Sequence, residues 1–302
     1  LIKKFKEKIV LDHFNLSLEK GDVLGLIGPN GCGKTTSIMC MLSLLKYDSG
    51  TIEVFGKKDI SNEYEIKKKI GIVPQELAVF NNLTVKENID YFCGLYISNK
   101  NERKRLVNEA IEFTGLQSHE KMLEKKLSGG LKRRLNIACG ISHKPELVIL
   151  DEPTVAVDAQ SRKFILDGIK NLAENGSSIL YTTHYLDEAE YLCNKISIMD
   201  NGKNILTGDM QTLINGVSVK EKITVVGFIK PEIISILEKQ DEVIDVEAKE
   251  NQVTFNYSSD TGNIKKLIYL LDENNVVYEE IFSKKPKLED IFLEMTGKEL
   301  RE

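Results

Sequence analysis

The chain has 302 residues, 41% of them hydrophobic and 29% charged, with a net charge of −5 at pH 7. That length and apolar content support one large packed domain or two ordinary ones. No apolar run approaches the ~20 residues needed to cross a bilayer, and no secretory signal is visible at Leu1-Ile2-Lys3-Lys4-Phe5. The chain opens on Leu rather than Met, as expected of a trimmed start. The acidic balance disfavours a broad nucleic-acid surface, and short basic runs such as Lys67-Lys68-Lys69 are read as solvated helix faces. Cys32, Cys40, Cys93, Cys139 and Cys193 are odd in number and lack C-x-x-C spacing, which points to reduced thiols, a cytoplasmic setting and mostly core positions.

In chain order, the first informative segment is Asp22-Val23-Leu24-Gly25-Leu26-Ile27, an apolar run expected to be a buried strand. It enters Gly28-Pro29-Asn30-Gly31-Cys32-Gly33-Lys34-Thr35-Thr36, which fits G-x-x-x-x-G-K-[ST], and Ser37 to Leu42 is expected to be the helix leaving it. Glycines let the backbone curl until several N–H groups converge on one anion, and the helix adds its positive end. Lys34 is placed to reach the terminal phosphates of a nucleotide and Thr35 to hold Mg²⁺. The glycine order excludes a G-x-G-x-x-G dinucleotide fingerprint. Cys32 differs from the other thiols. Inside the phosphate nest it is expected to be alkylated with loss of ATP binding and protected by MgATP.

The apolar run Ile70-Gly71-Ile72-Val73-Pro74 ends at Gln75. From Val85 to Lys126 the pattern turns helical, with Ile89, Phe92, Leu95 and Tyr96, then Leu106, Ala110, Ile111 and Phe113. This predicts a helical insertion in an α/β domain. Leu127-Ser128-Gly129-Gly130-Leu131 opens a further helix. Leu147-Val148-Ile149-Leu150 is a second central strand, ending in Asp151-Glu152-Pro153. Adjacent carboxylates at a buried strand end are costly without a metal. Strand alternation sends Asp151 toward Mg²⁺, shared with Thr35, and Glu152 the other way, where it can accept a proton from an attacking water. Ser178 to Thr183 is a third buried run, closed by His184, and Lys195 to Leu206 is expected to be a hairpin turning at Asn201-Gly202.

After about Gly216 the character changes. Strands are expected at Lys222–Ile229, Val243–Ala248, Gln252–Tyr257 and Val276–Ile281, with helices at Glu232–Lys239 and Ile264–Glu273. That βαββαβ order is ferredoxin-like, and an amphipathic helix, Leu288–Met295, follows. No catalytic cluster is evident there, and fold alone assigns no activity. The unit fits a structural or dimer-stabilising appendage, or a regulatory one.

Together these segments, from about Phe5 to Gly208, resemble the ATP-binding-cassette (ABC) ATPases. Leu127-Ser128-Gly129-Gly130 matches that family's signature motif and is the most specific element. Asp151-Glu152 resembles its Walker B end, Gln75 its Q-loop, Ala156-Val157-Asp158 its D-loop and His184 its switch histidine. The implied fold class is α/β: a P-loop cassette with a mixed core sheet, an antiparallel edge sheet and a helical lobe. It would span residues 1–215, with the lobe at about 76–140, and a small α+β ferredoxin-like accessory domain would span 216–302. The resemblance assigns Gly28, Pro29, Asn30, Gly31, Cys32, Gly33, Lys34, Thr35 and Thr36 to the ATP phosphates. It assigns Phe5 to the adenine, although Phe5 alone could equally be a buried edge residue. Thr35, Gln75 and Asp151 fall to Mg²⁺, and Gln75, Glu152 and His184 to the γ-phosphate and its attacking water. Ser128, Gly129, Gly130 and Asp158 would meet ATP bound to a second cassette in a head-to-tail homodimer that closes on ATP and opens on hydrolysis.

The tail Leu288-Glu289-Asp290-Ile291-Phe292-Leu293-Glu294-Met295-Thr296-Gly297 resembles that of bacterial drug, antibiotic and lipid exporter ATPases. A separate integral membrane permease is therefore the expected partner, with this chain on the cytoplasmic face of the membrane and no nucleic acid involved. Leu77-Ala78-Val79-Phe80 fits either a permease-docking patch or local packing under the lobe. Three departures stand out. Leu131 replaces a common Gln beside the phosphate-facing groups, Ala156 replaces a common Gly and is expected to be tolerated sterically, and the strand usually preceding Phe5 is absent. A cassette acting on DNA or ribosomes is disfavoured by the short lobe, the single cassette and the acidic charge. A non-hydrolysing regulator is disfavoured by intact Lys34, Asp151, Glu152 and His184.

Overall fold

Strands buried on both faces organise the first part of the molecule. The computed structural model describes residues 1–297, so the end of the expected 216–302 domain, residues 298–302, lies outside the described residues. The chain divides into two compact units, residues 1–207 and a second unit from Gly208 onward.

In the first unit, β1 (Lys3–Phe5) and β2 (Lys8–Leu11) pair antiparallel into a small hairpin. β3 (Val23–Ile27) is wholly buried and leads through the glycine loop into α1 (Lys34–Met41). The short α2 (Tyr64–Lys67) precedes β4 (Ile70–Val73). Then come α3 (Val85–Gly94), α4 (Lys100–Phe113) and α5 (Gly129–Ile141). β5 (Leu147–Asp151), α6 (Ala159–Glu174), β6 (Ser178–Thr183) and α7 (Leu186–Leu192) alternate, and β7 (Lys195–Asp200) turns into β8 (Lys203–Gly208).

The six-stranded sheet runs β4-β5-β6-β3-β7-β8, with the first five strands parallel. The hairpin β7–β8 makes it mixed. Its two turn residues, Asn201 (φ 47°) and Gly202 (φ 76°), both take positive φ, as a tight two-residue hairpin turn demands. Alternate residues of the same strands feed two cores. Leu24, Leu26, Ile149 and Leu180 meet Ile38 and Cys40 of α1 on one face. Val148, Leu150, Ile179 and Tyr181 meet Ile137 of α5 and Ile165 and Ile169 of α6 on the other.

The expected helical lobe is formed by α3, α4 and α5 around Val85, Ile89, Leu106, Val107, Ile111 and Leu135. Thr84 starts α3 with a capping box to Glu87. Fully buried Asn88 ties down the preceding loop. Its Oδ1 accepts from Phe80 N at 2.7 Å, and its Nδ2 donates to the carbonyls of Phe80 (3.0 Å), Leu83 (3.3 Å) and Thr84 (3.0 Å). Asn136 of α5 does the same upstream, accepting from Ala78 N (3.1 Å) and donating to the Pro74 carbonyl (3.2 Å). The segment after Gln75 is thus an irregular backbone whose polar groups are satisfied by two helices rather than by a sheet.

The second unit begins with α8 (Met210–Asn215), which packs on the last helix of the described chain. It continues through β9 (Glu221–Val226), α9 (Pro231–Leu237), β10 (Val243–Lys249), β11 (Gln252–Tyr257), α10 (Asn263–Glu273), β12 (Glu280–Lys284) and α11 (Leu288–Thr296). The four strands run β10-β11-β9-β12, all antiparallel. Ile223, Val225 and Phe255 of the sheet pack on Leu237 of α9 and on Leu267 and Leu271 of α10. The last strand lies later than the expected Val276–Ile281. Pairing with β9 starts at Glu280↔Val226, where β9 ends, so Val276 and Tyr278 only brush the core and Val277 is 86% exposed.

Asn88→Ala removes four hydrogen bonds and leaves buried backbone groups unpaired. It is expected to cost about 2–3 kcal/mol of unfolding free energy, read by urea denaturation.

Candidate active site

Parallel order places the carboxyl ends of β3, β5 and β6 side by side, the crevice where open α/β sheets bind ligands. The glycine loop leaves β3, the two carboxylates close β5, and His184 follows β6. In the loop, Gly31 (φ 78°) and Gly33 (φ 118°) take left-handed backbone. Close approach also matters: a Cβ on Gly28 would lie 2.2 Å from the Met199 carbonyl oxygen, and one on Gly33 would lie 2.9 Å from that of Val10. The loop is therefore pressed onto β7 and β2, with Asn30, Gly31 and Thr35 exposed and Pro29 and Thr36 half-buried.

Lys34 is buried, and its Nζ donates back across the loop to the carbonyls of Gly28 (2.7 Å) and Pro29 (3.2 Å). The same ammonium lies 3.3 Å from Glu152 Oε1. Thr35 Oγ1 donates to Asp151 Oδ2 at 2.8 Å, and Thr182 Oγ1 donates to Oδ1 at 2.6 Å. Glu152 Oε2 accepts from Gln75 Nε2 at 3.1 Å and lies 3.5 Å from His184 Nδ1. At that distance the contact is marginal, and Nδ1 of His184 stays buried without a hydrogen-bond partner. Gln75, Lys34 and His184 thus meet around the Glu152 carboxylate, which is itself buried.

The two carboxylates diverge for a reason other than the expected strand alternation. β5 ends at Asp151, and Glu152 turns off in left-handed backbone at φ 46°. Its N–H is held by Thr182, through the carbonyl at 3.2 Å and Oγ1 at 3.0 Å. Non-glycine residues there cost about 1–3 kcal/mol, and such strain gathers at functional sites.

Ser128 caps α5, its hydroxyl accepting from Leu131 N at 3.4 Å. Gly130 has no room for a side chain: a Cβ would lie 2.4 Å from Ser161 Oγ and 3.1 Å from Asp158 Oδ2. Asp158 caps α6 by accepting from Ser161 N at 2.9 Å, and that bond holds its carboxyl below the usual range. Ser128, Gly130 and Asp158 therefore form a second cluster, at the facing starts of α5 and α6, with Gly129 exposed beside them. Phe5 is 47% exposed, with Lys3 Nζ 4.9 Å over its ring, so it is not a buried edge residue.

A buried ammonium, an orphaned ring nitrogen and a loop of curled backbone suit a polyphosphate. The hard oxygen donors of Thr35 and Asp151 suit Mg²⁺. The sequence profile of the family described as ABC transporter matches residues 11–155. The linearmycin resistance ATP-binding protein LnrL of Bacillus subtilis is 37% identical over 306 residues, covering 99% of this chain and 97% of that protein. The chain belongs to the ABC transporter family. It is an ATP-binding subunit with ATPase activity. Nod factor export ATP-binding protein I of Sinorhizobium fredii is 30% identical over 300 residues, covering 99% of this chain and 85% of that protein. Among solved structures, the ATP-binding cassette MJ0796, dimeric in a post-hydrolysis state with ADP and Pi, matches with a TM-score of 0.63 and 25% identity. That match covers 69% of this chain and 95% of that one.

Two expectations about this ABC ATPase, for Cys32 and Ala156, change with the structure. The Cys32 thiol does not face the nest. It is 6% exposed, sits in the core beneath the loop and is pushed above the ordinary thiol range by burial, so it lacks the exposed thiolate that alkylation needs. Leu131 is half-buried, packs against the helical-lobe core and donates its N–H to the Ser128 hydroxyl at 3.4 Å. Ala156 is exposed but takes φ 59°, so its side chain is strained by the backbone rather than by its neighbours. Sequence reasoning missed Thr182, which braces both carboxylates, and Arg162, Tyr181 and Glu188, which lie behind His184. The signal available was Thr182-Thr183 directly before the histidine, and a Glu on the buried face of a short amphipathic helix.

Ala156→Gly removes the left-handed penalty and loses only an exposed methyl. It is expected to raise stability by about 0.5–1 kcal/mol after the added chain entropy, measured by chemical denaturation.

Proposed function

We propose that this ATPase powers export through a separate membrane permease, with Glu152 as the base for the attacking water. The observation that carries the reading is the meeting of Lys34, Gln75 and His184 on the Glu152 carboxylate. Glu152 takes the proton as water attacks the γ-phosphorus, the bond from that phosphorus to the bridging oxygen breaks so that ADP leaves with the oxygen, and Gln75 orients the water. His184, whose Nδ1 has no protein partner, hydrogen-bonds the γ-phosphate. Lys34 leaves its loop carbonyls for the phosphate oxygens, as the exposed N–H groups of the loop gather round them. Thr35 and Asp151, with Gln75, would hold Mg²⁺, which when bound offsets phosphate charge. Phe5 offers its open ring to the adenine.

Ser128, Gly129, Gly130 and Asp158 would close on ATP held by a second copy, the start of α5 giving its N–H groups to the γ-phosphate. The dimeric state of the related cassette MJ0796 supports this arrangement. The names of the linearmycin resistance and Nod factor export relatives support export as the direction. The partner is then an integral membrane permease, and the site of action is the cytoplasmic face of its membrane.

Leu77 (41% exposed), Phe80 (45%) and Tyr91 (48%) form the docking patch we assign to that permease. Phe80 meets Tyr91 edge to face at 4.9 Å. Leu77 and Phe80 lie in the segment that follows Gln75, so a docked permease element would feel the state of the site. Residues 216–302 are assigned as a ferredoxin-like accessory domain, a reading supported by the strand order β10-β11-β9-β12.

Glu152→Gln is expected to lower steady-state ATP hydrolysis about 100-fold or more, while the MgATP-bound dimer accumulates in size-exclusion chromatography. Retained hydrolysis would sink the assignment of Glu152. Phe80→Asp is expected to abolish copurification of the permease and to leave the ATPase activity of the isolated chain intact. Unchanged copurification would remove the patch from the interface.

A further inference from the structure

Behind His184 lies a polar cluster that the catalytic reading leaves unused. Glu188 of α7 is 1% exposed, yet both its carboxylate oxygens are occupied. Oε1 accepts from Arg162 Nε at 2.5 Å, and Oε2 accepts from Tyr181 Oη at 2.7 Å and Thr183 Oγ1 at 2.9 Å. The Thr183 hydroxyl in turn accepts from Tyr185 N at 2.9 Å. Arg162 reaches further: its guanidinium donates to Asp187 Oδ1 at 3.2 Å and sits 4.3 Å over the Tyr185 ring. The other neighbour of that ring is His184, with centroids 4.2 Å apart. Every residue flanking the histidine is therefore clamped to one arginine, either directly or through Glu188.

Arg162 stands on α6, and its N–H donates to the Asp158 carbonyl at 2.8 Å. Asp158 and Ser161 are the groups against which Gly130 packs. One residue thus joins the cluster formed by the signature and D-loop residues, through its backbone N–H, to the loop that carries His184, through its guanidinium.

We propose that Arg162 is a positioning residue for hydrolysis, setting the His184 ring through Tyr185 and Glu188 and coupling it to the start of α6. Movement of the Asp158–Ser161 turn, as a second copy closes on it, shifts the guanidinium and with it the imidazole. The histidine then takes its working orientation only when the composite site is complete. A planar fork is needed for this task, because it must stack on Tyr185 and bridge Asp187 and Glu188 together. A lysine can serve only one of them at a time. The inference rests on the reading that His184 acts in hydrolysis.

The test uses the full chain. Arg162→Lys keeps a cation beside Glu188, so the fold is retained. Its kcat is expected to fall roughly 10- to 100-fold, as for a displaced catalytic group, with KM for ATP within about twofold of wild type. The ring resonances of His184, assigned among the four histidines of isotope-labelled protein, are expected to shift. A wild-type kcat, an unmoved His184 resonance, or a loss confined to KM would overturn the proposal. Removing the arginine alone would strand a buried carboxylate. The second variant therefore pairs Arg162→Met with Glu188→Gln, whose amide oxygen can still accept from both Tyr181 and Thr183, as Glu188 Oε2 does, and the same kcat loss is expected. If this pair folds with full kcat, the proposal is wrong. His184→Ala is measured alongside. Full activity there would instead refute the role of the histidine, on which the inference depends.

Discussion

A buried carboxylate facing a buried ammonium is the constraint on which the site depends. Glu152 and Lys34 are both shielded from water and lie 3.3 Å apart. Neither charge is tolerable there without the other, because the cost of removing an ion from water is recovered only through close partners. Lys34 is further held by two loop carbonyls and Glu152 by Gln75. The pairing joins the phosphate loop to the end of β5. A ligand that draws Lys34 away must supply negative charge of its own, so a polyphosphate entering the loop would be felt at the Glu152 carboxylate.

The scaffold serves this pair. Parallel order brings three strand ends together, and the burial of those strands on both faces fixes where their ends lie. Thr182 then does two jobs from the neighbouring strand. It donates to Asp151, and it accepts from the strained N–H of Glu152, so the left-handed turn is stabilised by a partner outside its own strand. The helical lobe contributes in the same manner. Asn88 and Asn136 carry the backbone of the segment after Gln75, and an apolar side chain at either position would leave that backbone unsatisfied.

Much of this was legible in the residue order. The glycine loop, the apolar strands and the signature helix announce themselves through spacing and periodicity, because their chemistry requires particular residue types at adjacent positions. The second unit was legible as an order of elements, although β12 lies later than its apolar residues suggest, since a ladder exists only where a partner strand does. Cys32 shows the opposite case. Its place in the loop is a matter of sequence, whereas the direction of its thiol follows from the space beneath Gly28 and the core it enters.

The amino-acid sequence by itself determined the family and the α/β class, and it singled out the candidate phosphate, carboxylate and switch residues, since each belongs to a short contiguous motif. Only the tertiary structure decided that Glu152, Gln75, Lys34 and His184 share one contact point, that Gly130 rests on Asp158 and Ser161, and that Arg162 binds the histidine loop to α6. Those relations join residues far apart in the chain. Distance in space is set by how strands order themselves in the sheet and how helices pack upon it, which no local spacing encodes.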